Sequence, residues 1–89
     1  MGWLSPNVSN RQQITVTTYH VPSEGIIAGY QLAETNNEIA ITLNGIKIVS
    51  KPNRSYSGVG FSPILYVKTN DIITISYVTN CFEIYFYPF

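Results

Sequence analysis

The sequence predicts an all-β fold, a small antiparallel β-sandwich of jelly-roll-like type with about seven strands. Three observations predict it. Ile, Thr, Tyr and Val dominate the chain, and these are the side chains that fit a pleated, half-buried surface. Turn-forming residues recur at intervals of about 8 to 12 residues, and no stretch of useful length carries a helical period. The segment Cys81 to Phe89 alternates like a strand, with Phe82, Ile84 and Phe86 on one face and Cys81, Glu83, Tyr85 and Tyr87 on the other.

The elements follow in order. Residues 1 to 12 read as irregular, because Pro6, Asn7, Ser9 and Asn10 are loop formers, with Trp3 expected to pack. A first strand is expected over Gln13 to His20, where Ile14 and Val16 alternate with threonines. Val21 to Gly25 supplies Pro22 and Gly25 for a turn. The second strand runs from Ile26 to Ala33, with Gly29 marking a bulge or a close backbone approach. Glu38–Asn44 and Ile46–Ser50 form a hairpin about Asn44-Gly45, the pair that a type I′ turn requires. Ile39, Ile41 and Leu43 line its apolar face, which Ile46 and Ile48 are expected to continue. Lys51 to Gly60 reads as a long polar loop. Phe61 to Val67 is a strand that Pro63 confines to an edge or a bulge. Lys68 to Asp71 turns the chain into the strand Ile72 to Val78, and Thr79-Asn80 turns it into the terminal strand.

The 89 residues form one domain, near the size at which a core is marginal and association adds useful burial. Lys and Arg number 5, as do Asp and Glu, so the net charge is zero, and charged residues are only 11% of the chain. A near-neutral surface argues against nucleic acid, which needs a basic excess, and favours association. No apolar run is long enough for a membrane helix, and the amino terminus lacks the features of a signal peptide.

Catalytic chemistry finds little to work with. The chain has one histidine, His20, one aspartate, Asp71, and one cysteine, Cys81, and no spacing brings them together. Cys81 reads as a small buried hydrophobe. Glu34 and Glu38 flank a turn and are simplest as solvated residues. No zinc spacing is present, and Gly58-Val59-Gly60 lacks the helix and lysine of a phosphate loop. The expectation is therefore no enzyme, no cofactor and no metal. Two surfaces remain. Lys51, Asn53, Arg54, Ser55 and Tyr56 combine the amide, hydroxyl, guanidinium and ring groups that suit a saccharide. Tyr85, Tyr87 and Phe89 leave the terminal strand aromatic on the face its own core does not need, and predict a subunit contact.

Three segments together carry a resemblance. They are the Leu43-Asn44-Gly45-Ile46-Lys47-Ile48 hairpin, the strand–turn–strand Val67-Lys68-Thr69-Asn70-Asp71-Ile72-Ile73, and the aromatic close Glu83-Ile84-Tyr85-Phe86-Tyr87-Pro88-Phe89. In the turn, Asn70 stands where the usual pattern has glycine, and Asn tolerates the left-handed conformation. In this order the segments resemble small β-sandwich modules of bacteriophage and prophage tail fibres and receptor-binding proteins. The resemblance implies a non-enzymatic virion protein of the tail region, made in the host cytoplasm and homo-oligomeric, with a trimer favoured. It implies a role in host attachment, through cell-surface saccharide, or in assembly with other tail proteins. A free-standing carbohydrate-binding module and a capsid decoration protein are the alternatives.

Overall fold

The structure, a computed structural model, describes residues 7–31, 39–51, 61–76 and 82–89. It is an all-β fold of two antiparallel four-stranded sheets. After a short 3-10 turn at Val8–Asn10 come β1 (Gln12–Gln13), β2 (Thr18–His20), β3 (Gly25–Gln31) and β4 (Ile39–Leu43). They are followed by β5 (Ile46–Lys51), β6 (Ile64–Val67), β7 (Ile72–Ile75) and β8 (Phe82–Pro88). One sheet has the order β1-β8-β3-β6 and the other β2-β7-β4-β5. The pairing is nested. The first strand pairs with the last, the second with the seventh, the third with the sixth and the fourth with the fifth, and successive pairs alternate between the sheets.

The eighth strand arises where the sequence pattern predicts one continuous run from Gln13 to His20. The alternation is real, but the chain changes sheets within it. The Ile14 N–H still donates to the Ile84 carbonyl of β8 (2.8 Å), whereas the Thr17 carbonyl already accepts from Ile75 of β7 (2.8 Å). Ile14 is buried at the crossing and Val16 is left exposed. Strands that switch sheets are how a sandwich makes its corners, and an even alternation does not reveal the point of transfer.

The core lies between the sheets. Ile27, Val67, Phe82, Ile84 and Phe86 enter it from the first sheet, and Ile39, Ile41, Ile73 and Ile75 from the second. Phe86 is 1% exposed, so the Phe82-Ile84-Phe86 face of β8 is used up in the core, as its alternation predicts. The strand is central, flanked by β1 and β3, and so closes its sheet internally. Gly25 and Gly29 allow β3 to lie close against it: a Cβ at Gly29 would stand 2.6 Å from the Phe82 ring. Pro63 is buried just before β6, which is the edge strand of its sheet, so its missing N–H interrupts no inner ladder.

Asn44 and Gly45 take φ values of 51° and 88°, the two left-handed residues that the hairpin requires. The return arm departs from expectation. A register shift between Ile41 and Thr42 sets Val49 opposite Ile41 and Lys47 opposite Thr42. Ile48 is the extra residue of this bulge. Ile48 is therefore turned outward, 41% exposed, and it is Val49 that packs against the core, while Ile46, opposite Leu43 at the hairpin end, is 68% exposed. In the neighbouring β6–β7 turn, Asn70 is left-handed with φ 71°, as the turn motif requires.

Candidate functional site

The sequence offers two candidate surfaces. Of the polar loop, Asn53, Arg54, Ser55 and Tyr56 lie outside the described residues, and Lys51 ends β5. The aromatic trio Tyr85, Tyr87 and Phe89 is described in full, and the strand register shows what surrounds it.

On β8 the even positions 82, 84 and 86 point into the core, which leaves Glu83, Tyr85 and Tyr87 on the outer face. Pairing aligns them with the outward residues of the neighbouring strands. Gln13, Tyr85, Ala28 and Ile64 stand in one line across the sheet. Tyr87, Ile26 and Tyr66 stand in the next, with Arg11 leading into β1 beside them. The 3-10 turn returns over this face, tied down where the Asn7 N–H donates to the Pro88 carbonyl (2.6 Å). The result is a nearly continuous apolar and aromatic surface. Ile64 is 71% exposed, Val8 63% and Tyr66 52%. Between Val8, Ile26, Ala28, Ile64 and Tyr87 lies an open depression of about 270 Å³.

The rings hold one another in place. Tyr66 and Phe89 stack with centroids 6.0 Å apart at 28°, and Tyr85 and Tyr87 meet at 6.2 Å and 49°. The Arg11 guanidinium lies 4.2 Å over the Tyr85 ring, a cation–π contact. Polar groups border the surface. Glu83 accepts from the Tyr30 hydroxyl (3.1 Å) and the Tyr85 hydroxyl (3.2 Å), and Glu24 accepts from the Tyr66 hydroxyl. The bond to the Glu83 carboxylate raises the Tyr30 hydroxyl above the ordinary tyrosine value. Desolvation, then the same carboxylate, raises Tyr85. These phenols stay protonated at any ordinary pH and serve as donors.

The outer face of the second sheet is different. Thr18, Thr74, Thr42 and Lys47 line up across it, a row of hydroxyls ending in an ammonium group. The two outer faces of one small domain are thus unequal: the second sheet sets this hydroxyl row among isolated exposed isoleucines such as Ile48 and Ile72, whereas the first exposes contiguous apolar area of the kind that marks interaction sites.

The remaining polar groups are structural. Asp71 accepts from Asn44 Nδ2 (3.0 Å) and the Lys68 N–H (2.8 Å), and Asn44 Oδ1 accepts from the Ile72 N–H (2.8 Å). This cluster ties the β4–β5 turn to the β6–β7 turn. The bond from Asn44, then that from Lys68, lowers the Asp71 carboxyl below its usual value. His20 is exposed at the end of β2, and Cys81 lies outside the described residues. Among the described residues no group of three or more His, Cys, Asp and Glu side chains could hold a metal ion. No helix among them is long and apolar enough to cross a membrane. Comparison with protein-family models, with curated proteins and with solved structures finds no match for this chain.

The sequence reading picked Tyr85, Tyr87 and Phe89 but missed Ile26, Ala28, Ile64, Tyr66 and Arg11. Each of these looks unremarkable in its own strand. Only the register between strands collects them.

Proposed function

We propose that this chain is a non-enzymatic virion protein of a bacteriophage tail, which associates with copies of itself to serve tail-tip assembly or host attachment. The observation that carries the association is the aromatic outer face of the β1-β8-β3-β6 sheet, with Tyr85, Tyr87 and Phe89 on it. The virion setting is supported by the sequence resemblance and by the nested strand order. That order is what a hairpin rolled into two sheets produces, and it supports reading the domain as a jelly roll, a fold that recurs in viral capsid and lectin domains. Fold alone does not set function, so the association is the part to test first.

Sedimentation of the wild-type chain is expected to give a species heavier than the 10.0 kDa monomer. Ile64→Lys, which places a charge on the most exposed apolar position of the face, is expected to return it to monomer without changing its β spectrum. A wild-type chain that stays monomeric at every concentration overturns the proposal. A second reading, a saccharide-binding module, is favoured by the tyrosines that Glu83 and Arg11 border, since aromatic faces and carboxylates suit sugar rings. It requires a monomer that binds glycans and loses them on Tyr85→Ala.

A further inference from the structure

Asn44-Gly45 is the chain's only Asn-Gly pair, and it carries a chemistry that the fold has to restrain. Glycine has no Cβ, so its backbone nitrogen meets little hindrance in approaching the carboxamide of the asparagine before it. Both residues are exposed, and apart from its chain neighbours no atom lies within 4 Å of where a Gly45 Cβ would stand, so water reaches the turn. Yet the carboxamide is held at both ends. Its Nδ2 donates to Asp71 Oδ1 (3.0 Å), and its Oδ1 accepts from the Ile72 N–H (2.8 Å). The backbone beneath it is pinned as well, with the Asn44 N–H donating to the Ile72 carbonyl (2.8 Å). Asp71 is fixed in turn. Its Oδ2 accepts from the Lys68 N–H (2.8 Å), and its own N–H donates to the Lys68 carbonyl (3.1 Å). The β6–β7 turn thus grips the side chain of the β4–β5 turn that can react with its own backbone.

We infer that Asn44 is a latent deamidation site, and that the clamp formed by Asp71 and Ile72 keeps it closed. In the reaction the Gly45 nitrogen loses its proton to hydroxide and attacks Cγ of Asn44. The bond from Cγ to Nδ2 breaks, ammonia leaves, and a five-membered cyclic imide remains. Water then opens the imide at either carbonyl, which leaves aspartate or isoaspartate in place of the asparagine. Ring closure makes the planar Cγ tetrahedral and swings Nδ2 and Oδ1 out of the positions that the clamp fixes. Loss of two hydrogen bonds, one of them to a carboxylate, slows the reaction roughly 10- to 100-fold relative to an unclamped Asn-Gly pair. The change runs one way. An aspartate at position 44 sets a second carboxylate against Asp71, where Nδ2 donated at 3.0 Å, and like charges so close disfavour each other. Isoaspartate puts an extra carbon into the backbone of a two-residue turn, which then departs from the type I′ geometry that joins β4 to β5. Either product unties the two turns, whether or not the chain associates through its other sheet.

Peptide mapping by mass spectrometry, with isoaspartate detection, follows the reaction at Asn44 in the full chain at mildly alkaline pH. The folded wild-type is expected to deamidate about tenfold or more slowly than the same chain unfolded in urea. Asp71→Ala removes one arm of the clamp and is expected to recover at least several-fold of the rate. Asp71→Asn keeps an acceptor for Nδ2 without the charge and is expected to fall between the two. Each variant is compared with wild-type in enough urea to match the variant's unfolded fraction, so that faster reaction reports the clamp and not a weaker fold. Should Asp71→Ala fail to fold, Asp71→Asn decides. A folded wild-type that reacts as fast as the unfolded chain overturns the proposal. So do variants no faster than their matched wild-type, since protection then belongs to folding as a whole. Asn44→Asp, which reproduces one product, is expected to lower the urea midpoint, and an unchanged midpoint overturns the one-way step.

Discussion

Gly25 provides a sharp test of how the first sheet is held together. In a strand, glycine is worse than alanine by about 0.5–1 kcal/mol because of the backbone entropy it loses. Gly25 does not take a left-handed φ, so alanine suits its conformation, and Gly25→Ala would stabilise the protein by that amount if space allowed. Space does not allow it. A Cβ there would stand 2.3 Å from the Tyr87 carbonyl oxygen, 2.8 Å from the Phe86 ring and 3.0 Å from the Pro88 Cα. The closest of these atoms is backbone of the central strand and cannot rotate aside. β3 and β8 must instead separate by close to an ångström, which weakens one or two ladder hydrogen bonds worth about 0.5–1.5 kcal/mol each. Overpacking adds roughly 1–3 kcal/mol. Against the entropy gain the net loss is about 2–3 kcal/mol. With a urea slope of about 1 kcal/mol/M for so small a domain, the midpoint should fall by about 2–3 M. Gly45 is the control. Nothing lies within 4 Å of a Cβ there, but φ is +88°. Gly45→Ala should cost about 1–2 kcal/mol for conformation alone, and Gly45→Asn should recover most of it. A Gly25→Ala variant at or above the wild-type midpoint would refute the close approach of β3 and β8.

Three further outcomes are expected. Because its hydrogen bonds hold Asp71 below its unfolded value, its contribution to stability is present above the unfolded carboxylate pKa and is lost as pH falls through the folded one. The urea midpoint should drop as pH falls below about 4, the ordinary carboxylate value, and Asp71→Asn should make that drop shallower. Spectrophotometric titration should show tyrosines ionising above the ordinary value, with Glu83→Gln moving part of that absorbance change to lower pH, since Glu83 raises both Tyr30 and Tyr85. In β5, Val49→Ala should cost about 1 kcal/mol and Ile48→Thr less than about 0.5 kcal/mol, measured by urea unfolding, because the bulge turns Val49 toward the core and Ile48 outward. Equal costs would rule out that register.

Much of the fold is legible in the sequence because strand alternation reports burial directly. The inward face of β8, the Asn44-Gly45 turn and the left-handed Asn70 follow from local chemistry, and Pro63 narrows its segment to an edge or a bulge, of which the edge is found, with the strand starting only at Ile64. The bulge beside Thr42 and the transfer of the chain between sheets after Ile14 do not, since each depends on a partner strand far away in sequence. The outer face shows the same division. Tyr85, Tyr87 and Phe89 stand out in a nine-residue window, whereas Ala28 acquires meaning only when Tyr85 and Ile64 flank it. The central position of β8 also alters what truncation can teach. Removing Phe86 to Phe89 takes away core as well as surface, so single substitutions on the outer face are the cleaner probe.

The nested pairing has a kinetic consequence. Gln12 finds its partner at Phe86, across nearly the whole sequence, and β3 must wait for the same strand to fill the gap beside it. Such non-local closure raises contact order, and domains of this kind fold in milliseconds to seconds rather than microseconds. Until the strand from Phe82 to Pro88 inserts, the first sheet lacks its middle. During that interval β1 and β3 present open edges, and the isoleucines of the unfinished core stay accessible. A chain with no net charge has little repulsion to protect that intermediate. Its yield on refolding should therefore depend steeply on protein concentration, with aggregation competing against the insertion of a single strand.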